Sequence, residues 1–465
     1  MNLKKIIVLA LFMGVCGTAA LATTNSEKQD SLKYRIYLTD KKATPYSLQH
    51  PEVFLSKKAL DRRQRQHLSV DSTDIPVCRD YIKAIQKTGV KIVAVGKWNN
   101  FVTVSCNNPN KVDKIMKLKF VRSTKLVWEK PKQTADRKTT RETITPKVMK
   151  KGENKYGPAY DQIHQCNGDR LHQYGFTGKG MTIAIIDAGF HNADSIPEMK
   201  NIHILGTHDF VSSGTDIYAQ GTHGMCVLSI MGMNQPYYMM GSAPDASYWL
   251  LRSEDEESET LVEQDYWSEA IEFADSVGVD AVNSSLGYYN FDDSTMNYRY
   301  RDLDGKTALI SREATMAAQK GIMVVVSAGN AGSGSWKKIS VPGDADEVLT
   351  IGAVSTKGVL APFSSIGNTA DGRIKPDVVA TGSRTSFVNA RGDLSVGNGT
   401  SFSSPLMCGL VTCLRQACPN ASVKEIIEAI HRSGDRSDYP DNIYGYGIPN
   451  MLVALSILQP EHSFK

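Results

Sequence analysis

Four side chains in this sequence have the chemistry for acyl transfer: Asp187 in IAIIDAGF, His223 in GTHGMCV, Asn330 in VVSAGNAG and Ser401 in VGNGTSFSSPLMCG. A serine hydroxyl becomes a nucleophile when a neutral imidazole takes its proton and a carboxylate fixes that imidazole's tautomer. Each residue alone has an ordinary alternative: the aspartate and the serine as helix caps, the histidine as a structural hydrogen-bonder. The stretch from 396 to 409 places Thr400, Ser401, Ser403 and Ser404 ahead of an apolar run, with Pro405 among them. Proline is tolerated in a first helical turn, so the spacing predicts a helix start near Ser401 with Pro405 inside that turn. The Asn330 amide and the Ser401 backbone N–H could then both donate to an oxyanion.

The elements that must position these groups are legible from Tyr156 onward. Short β-branched runs (MTIAII, NIHIL, ASYWLL, VDAVNSS, IMVVVSA, VLTIGAV) alternate with helical patterns (THGMCVLSIMG, EQDYWSEAIEFADSV, ALISREATMAAQK). Near-continuous apolar strands between helices indicate an α/β, doubly wound, mainly parallel sheet covered on both faces. Sites on such sheets gather beyond the carboxyl ends of the strands. Asp187 and Asn330 fall at strand ends and His223 and Ser401 at helix starts, so one cleft can hold all four.

The remainder of the 465 residues divides by composition. Residues 1–22 carry Lys4 and Lys5, an apolar run and Ala20-Leu21-Ala22, the pattern of an export signal. Cys16 is the alternative lipoprotein site, with bulky Val15 against it. Residues 23–130 read β-α-β-β-α-β, a small ferredoxin-like α+β domain interrupted by a Lys/Arg-rich insertion at about 40–79, expected as a solvated helical face. Residues 131–155 are cationic and nearly free of large apolar residues, a linker suited to proteolytic processing. Residues 156–465 form the α/β domain. Beyond the signal there are seven cysteines, an odd number; Cys78 and Cys106 could pair within one domain. A net charge of +4 does not indicate nucleic acid, and no later segment has the apolar length of a membrane span.

The order Asp, His, Ser, together with IAIIDAGF, GTHGMCV, GSAP, VNSSLG, VVSAGNAG, VPG, VLTIGAV, KPDVVATG, GTSFSSP and GYGIPN in succession, resembles the subtilisin-like serine peptidases (subtilases, peptidase family S8) over residues 156–460. The resemblance implies a serine endopeptidase acting through an acyl-enzyme, with Asp187, His223 and Ser401 as triad and Asn330 as oxyanion donor. It further implies that Ser285, Leu286 and Gly287 pair with an extended substrate, and that Ala328, Gly329 and residues 339–343 wall the pocket before the scissile bond. Polypeptides would be the substrates and no cofactor would be required for the chemistry. Structural calcium occurs in the family, but Asp302-x-Asp304-Gly305 lacks the other ligands of a calcium loop, and Asp304 with Thr307 also reads as a turn and cap. The first domain resembles the family's inhibitory propeptide, an intramolecular partner removed by cleavage between Lys130 and Lys155. The expected product is a monomeric enzyme, periplasmic or extracellular.

Departures from the family pattern are Ala188 in place of Ser or Thr, Met225 for Thr, Leu228 for Ala, Phe402 for Met and Ser403 for Ala. None removes a reacting group. The acidic run RSEDEESE, 252–259, has two readings, a solvated loop or a cleft wall favouring basic residues upstream of the cut. A peptide-binding scaffold and an acyl-transferring relative are the rival functions. The first would normally have lost one of the four residues, and the second needs a shield from water near Ser401.

Overall fold

The computed structural model describes residues 31–42, 44–130 and 154–461; the expected export signal and residues 131–153 of the linker lie outside them. The N-terminal unit runs β1 (Leu32–Leu38), α1 (Lys57–Arg65), α2 (Arg79–Gln86), β2 (Lys91–Gly96), β3 (Phe101–Cys106), α3 (Asn110–Met116) and β4 (Val121–Glu129). Its strands form an antiparallel sheet in the order β2-β3-β1-β4, the ferredoxin-like arrangement. Because side chains alternate across a strand, Val102, Val104 and Cys106 of β3 enter this unit's own core, whereas Thr103 turns to the larger unit.

The larger unit begins with α4 (Tyr160–His164), α5 (Gly168–Gln173), β5 (Thr182–Asp187), β6 (His203–Asp209) and α6 (His223–Gly232). A short hairpin, β7 (Asn234–Gln235) and β8 (Met239–Met240), precedes β9 (Ser247–Arg252), α7 (Glu263–Val277), β10 (Ala281–Ser284), α8 (Leu309–Gln319), β11 (Met323–Ser327) and β12 (Leu349–Val354). Then come β13 (Val378–Thr381), a hairpin of β14 (Thr385–Val388) and β15 (Leu394–Gly397), α9 (Thr400–Ala417), α10 (Val423–Arg432) and α11 (Met451–Leu458).

Seven strands make a parallel sheet in the order β13-β12-β11-β10-β5-β9-β6. Every residue of β5 is buried, as expected for a strand covered on both faces. Ile183 and Ile185 pack into the core with α6 and α9, and Ala184 and Ile186 into the core with α7 and α8. The carboxyl ends of β5, β10 and β11 therefore open beside the starts of α6 and α9.

Two sequence expectations need correction. Pro405 lies inside α9, one turn beyond the start at Thr400, rather than in the first turn. The missing Pro405 N–H would have served the Ser401 carbonyl; Ser285 Oγ donates to that carbonyl instead, at 3.0 Å. Second, the basic insertion is not a solvated face: Arg62 and Arg63 of α1 are 0% and 2% exposed and bond the larger unit, because Asp275 of α7 supplies a buried countercharge. On a point the sequence leaves open, no disulfide joins Cys78 to Cys106 or any other described cysteines.

Candidate active site

Asp187 ends β5, where the ladder to β9 fixes its main chain, and its side chain is fully buried. One oxygen, Oδ1, accepts from the Ala188 N–H at 2.8 Å and pairs with His223 Nδ1 at 2.8 Å. The other, Oδ2, is buried with no partner among the described residues. Alanine at 188 accounts for part of this, since it brings no hydroxyl to the carboxylate.

His223 opens α6. Gly224 lets that helix approach β5 closely: a Cβ there would meet the Gly189 carbonyl at 2.5 Å and Asp187 Cβ at 2.9 Å. Burial pulls the imidazole down, but the Asp187 carboxylate outweighs it, and with Glu254 and Glu256 adding negative charge the group is raised to about 9. The Asp187 contact at Nδ1 leaves Nε2 for the cleft.

Of the four hydroxyls around Ser401, three have structural duties. Thr400 Oγ1 donates to Asn330 Oδ1 at 3.0 Å and accepts from the Gly329 N–H at 3.1 Å. Ser403 Oγ donates to the Thr400 carbonyl at 3.0 Å, and Ser404 Oγ to Asn283 Oδ1 at 2.8 Å. Ser401 Oγ makes no hydrogen bond among the described residues, to His223 included, and a Cβ on Gly399 would stand 2.7 Å from it. Contacts of this kind commonly tighten only when substrate is bound.

Asn330 follows β11. Its Oδ1 accepts from Thr400 N at 2.9 Å and from Thr400 Oγ1, which leaves the Nδ2 group as a donor at the cleft that Asn330 lines. Gly329 holds this turn at φ 105°, a conformation that favours glycine. Ser365 braces the same turn: its N–H donates to the Gly329 carbonyl at 2.9 Å and its Oγ accepts from Ala331 N at 3.0 Å.

A cleft of about 350 Å³ opens here, lined among others by His223, Asn330, Gly329, Ser285, Leu286 and Gly287, with neither buried Asp187 nor Ser401 in its lining. The main-chain groups of Leu286 and Gly287 have no backbone partner among the described residues. Two expected wall positions differ. Ala328 is wholly buried in the core with α7 and α8 and does not line the cleft. From 339–343 only Ser340 reaches it, because Val341 is tied to Tyr288 by paired backbone bonds of 2.9 and 3.1 Å. Ser285 has a structural duty as well, accepting from Asn283 Nδ2 at 3.0 Å while bonding the Ser401 carbonyl.

The acidic run is not a purely solvated loop, since Glu254 and Glu256 line the cleft with His223. Burial raises Glu254 to about 8, reinforced by Glu259 and Asp187 and opposed by His223. The supporting roles of Thr400, Ser404, Asn283 and Ser365 were missed from the sequence; the density of small hydroxyls beside 401 pointed toward the first two, and nothing pointed toward Asn283 or Ser365.

A calcium site at 302–305 does not fit the side chains there. Asp304 Oδ1 accepts from Lys306 N and Thr307 N at 2.8 and 2.7 Å, and its Oδ2 from Thr307 Oγ1 at 2.9 Å. Asp302 Oδ2 accepts from Arg299 N at 2.8 Å. No group of three or more His, Cys, Asp or Glu among the described residues could hold a metal ion, and no described helix is long and apolar enough to cross a membrane.

Comparison with known proteins places this architecture. Residues 178–447 match the subtilase family (peptidase S8), and residues 33–144 match the peptidase S8 propeptide domain of Bacteroidota. Subtilisin NAT of Bacillus subtilis subsp. natto is 29% identical over 298 residues, covering 63% of this chain and 70% of that protein. Subtilisin of Bacillus pumilus is 28% identical over 298 residues, covering 63% of this chain and 97% of that protein. In fold the chain is similar to fervidolysin from Fervidobacterium pennivorans, a keratinolytic enzyme related to subtilisin, with a TM-score of 0.62 at 19% identity over 94% of this chain and 62% of that one. The chain belongs to the subtilase family and is a serine endopeptidase with an N-terminal propeptide domain.

Proposed function

We propose that the protein hydrolyses peptide bonds through Ser401, His223 and Asp187. Ser401 Oγ attacks the scissile carbonyl as His223 Nε2 takes its proton; Asp187 holds Nδ1 and stabilises the imidazolium. The tetrahedral oxyanion receives Asn330 Nδ2–H and the Ser401 N–H, which has no acceptor among the described residues at the start of α9. Imidazolium then protonates the leaving amine, and water attacks the acyl-enzyme with the same histidine as base. None of these steps calls on a metal or cofactor. Leu286 and Gly287 offer their main chain to an extended substrate, with Ser285 bracing the Ser401 carbonyl behind them.

The observation that carries this reading is the division of labour at 400–404, where Ser401 alone keeps an unengaged hydroxyl, together with the 2.8 Å Asp187–His223 pair. The precursor would be exported through residues 1–22 to a periplasmic or extracellular destination, carry its inhibitor domain on residues 23–130, and be cut within 131–155 to release a monomeric enzyme on 156–465. Labelling the processed protein with a serine-directed phosphonate is expected to modify Ser401 and to fail in Ser401→Ala. An unlabelled wild type would instead indicate a peptide-binding scaffold.

A further inference from the structure

The insertion between β1 and α2 is where this chain departs most from a compact inhibitor-type domain. Its larger described part, residues 44–78, reaches past the sheet of the N-terminal unit to the far end of α7. That end lies at the amino-terminal edge of the parallel sheet, opposite the edge that carries the cleft.

Arg62 Nη2 donates to Asp275 Oδ1, and Nη1 to the Val279 carbonyl at 2.6 Å; Nε reaches the Lys320 carbonyl at 3.3 Å. Arg63 Nη2 bridges Asp275 Oδ2 at 3.0 Å and Asp74 Oδ1 at 2.9 Å, and Lys320 returns to Asp74 at 3.0 Å. Gln66 Nε2 donates to the Gly321 carbonyl at 2.9 Å. Carbonyls beyond helix ends favour cations, and planar guanidinium groups suit several acceptors at once.

The larger unit is shaped to receive this helix. A Cβ on Gly278 would stand 2.6 Å from Ala59 N, and one on Gly321 2.6 Å from Gln66 Nε2. Both glycines also turn the chain with positive φ after α7 and α8, so their smallness meets two demands at once. Asp275 is fully buried and held to about 2; burial opposes ionisation there, and Arg62 and Arg63 overcome it. Arg63 Nε and Nη1 remain without partners among the described residues, so the grip is centred on Arg62 and on the shared Asp275.

We infer that residues 44–78 form a second anchor of the propeptide domain, a latch whose Arg62 and Arg63 grip Asp275 and the chain beyond α7 and α8, and which keeps that domain bound after the chain is cut within 131–153. The inference rests on the propeptide reading of the N-terminal unit. Its partner surface is a buried carboxylate ringed by backbone carbonyls, selective for paired guanidinium groups. Removing one side of such a buried pair strands the other charge, which makes loss of the latch costly.

The test uses the full chain carrying Ser401→Ala, with the recognition sequence of a site-specific protease placed in residues 131–153. After cutting, dissociation of the two pieces on dilution is followed by size exclusion and native mass spectrometry. The pieces are expected to stay together, and Arg62→Ala/Arg63→Ala to speed dissociation by at least about 100-fold. A dissociation rate within about twofold of the parent overturns the latch. Hydrogen exchange of the unmutated cut complex decides the matter if the double variant does not fold. Amides of α1 should then exchange no faster than those of β3, and free exchange of α1 in the bound complex would also overturn it. Since the serine is absent throughout, failure of the latch is distinguishable from failure of the peptidase mechanism, which the phosphonate label reports.

Discussion

Asp187 has one carboxylate oxygen fully engaged and the other buried without a donor among the described residues. Ala188→Ser puts a hydroxyl next to that carboxylate. If it bonds Oδ2, stability should rise by about 1.5–3 kcal/mol, the usual range for a hydrogen bond to a charged group, measurable by denaturant unfolding. An unchanged midpoint would mean that the new hydroxyl does not reach Oδ2. His223 has the opposite pH signs for folding and for catalysis. With its ordinary value of 6.5 raised to about 9, the charged pair contributes stability that is complete below pH 6.5 and lost as pH climbs through 9. Catalysis needs the neutral ring, so kcat/KM should rise with pH along a limb centred near 9. Glu254→Gln removes a negative charge that raises the imidazole and should move this limb to lower pH; a limb that stays put would show that the cleft carboxylate does not reach His223 electrostatically. Asn330→Ala should lower kcat by about 100- to 1,000-fold, the typical cost of deleting one oxyanion donor, and part of that loss comes from freeing Thr400, which Asn330 Oδ1 also holds.

At the scale of elements, α9 depends on a proline whose missing N–H is replaced from another strand end. Ser285→Ala leaves the Ser401 carbonyl without that donor, and the expected outcome is a loss of about 1–3 kcal/mol in stability with a fall in kcat. Retention of both would show that the brace is dispensable. This coupling also explains what could be read from sequence and what could not. The strand-helix alternation around IAIID and VVVSA is strong because fully buried strands must be apolar throughout, and EQDYWSEAIEFADSV, read as one helix, is α7. The position of Pro405 was misread because only the spatial neighbour Ser285, far away in the chain, removes the penalty of an interior proline. Arg62 and Arg63 were misread for the same reason: KKALDRRQR is as charged as any solvated helix, and only Asp275, more than two hundred residues on, makes its burial affordable.

The two units of the molecule share structure beyond any single bond. Ala94, Trp98 and Val127 of the N-terminal unit join Leu261, Tyr266 and Ala270 in one apolar cluster, and Glu272 of α7 accepts from Lys97 N and Trp98 N at 2.7 and 2.8 Å. Arg35 pairs with buried Asp265, and Asn99 Nδ2 donates to Glu313 Oε1 at 2.7 Å. With apolar and polar groups interlocked in this way, the uncut Ser401→Ala chain should unfold in a single calorimetric transition whose midpoint does not depend on concentration. Cutting within 131–153 makes the N-terminal unit a separate ligand of the peptidase, so stability acquires a mass-action term of about 1.4 kcal/mol for each tenfold in concentration. The midpoint of the cut complex should therefore climb as protein concentration is raised from micromolar levels, while that of the uncut chain stays fixed. Two separate, concentration-independent transitions before and after cutting would instead mean that the units fold side by side without supporting one another.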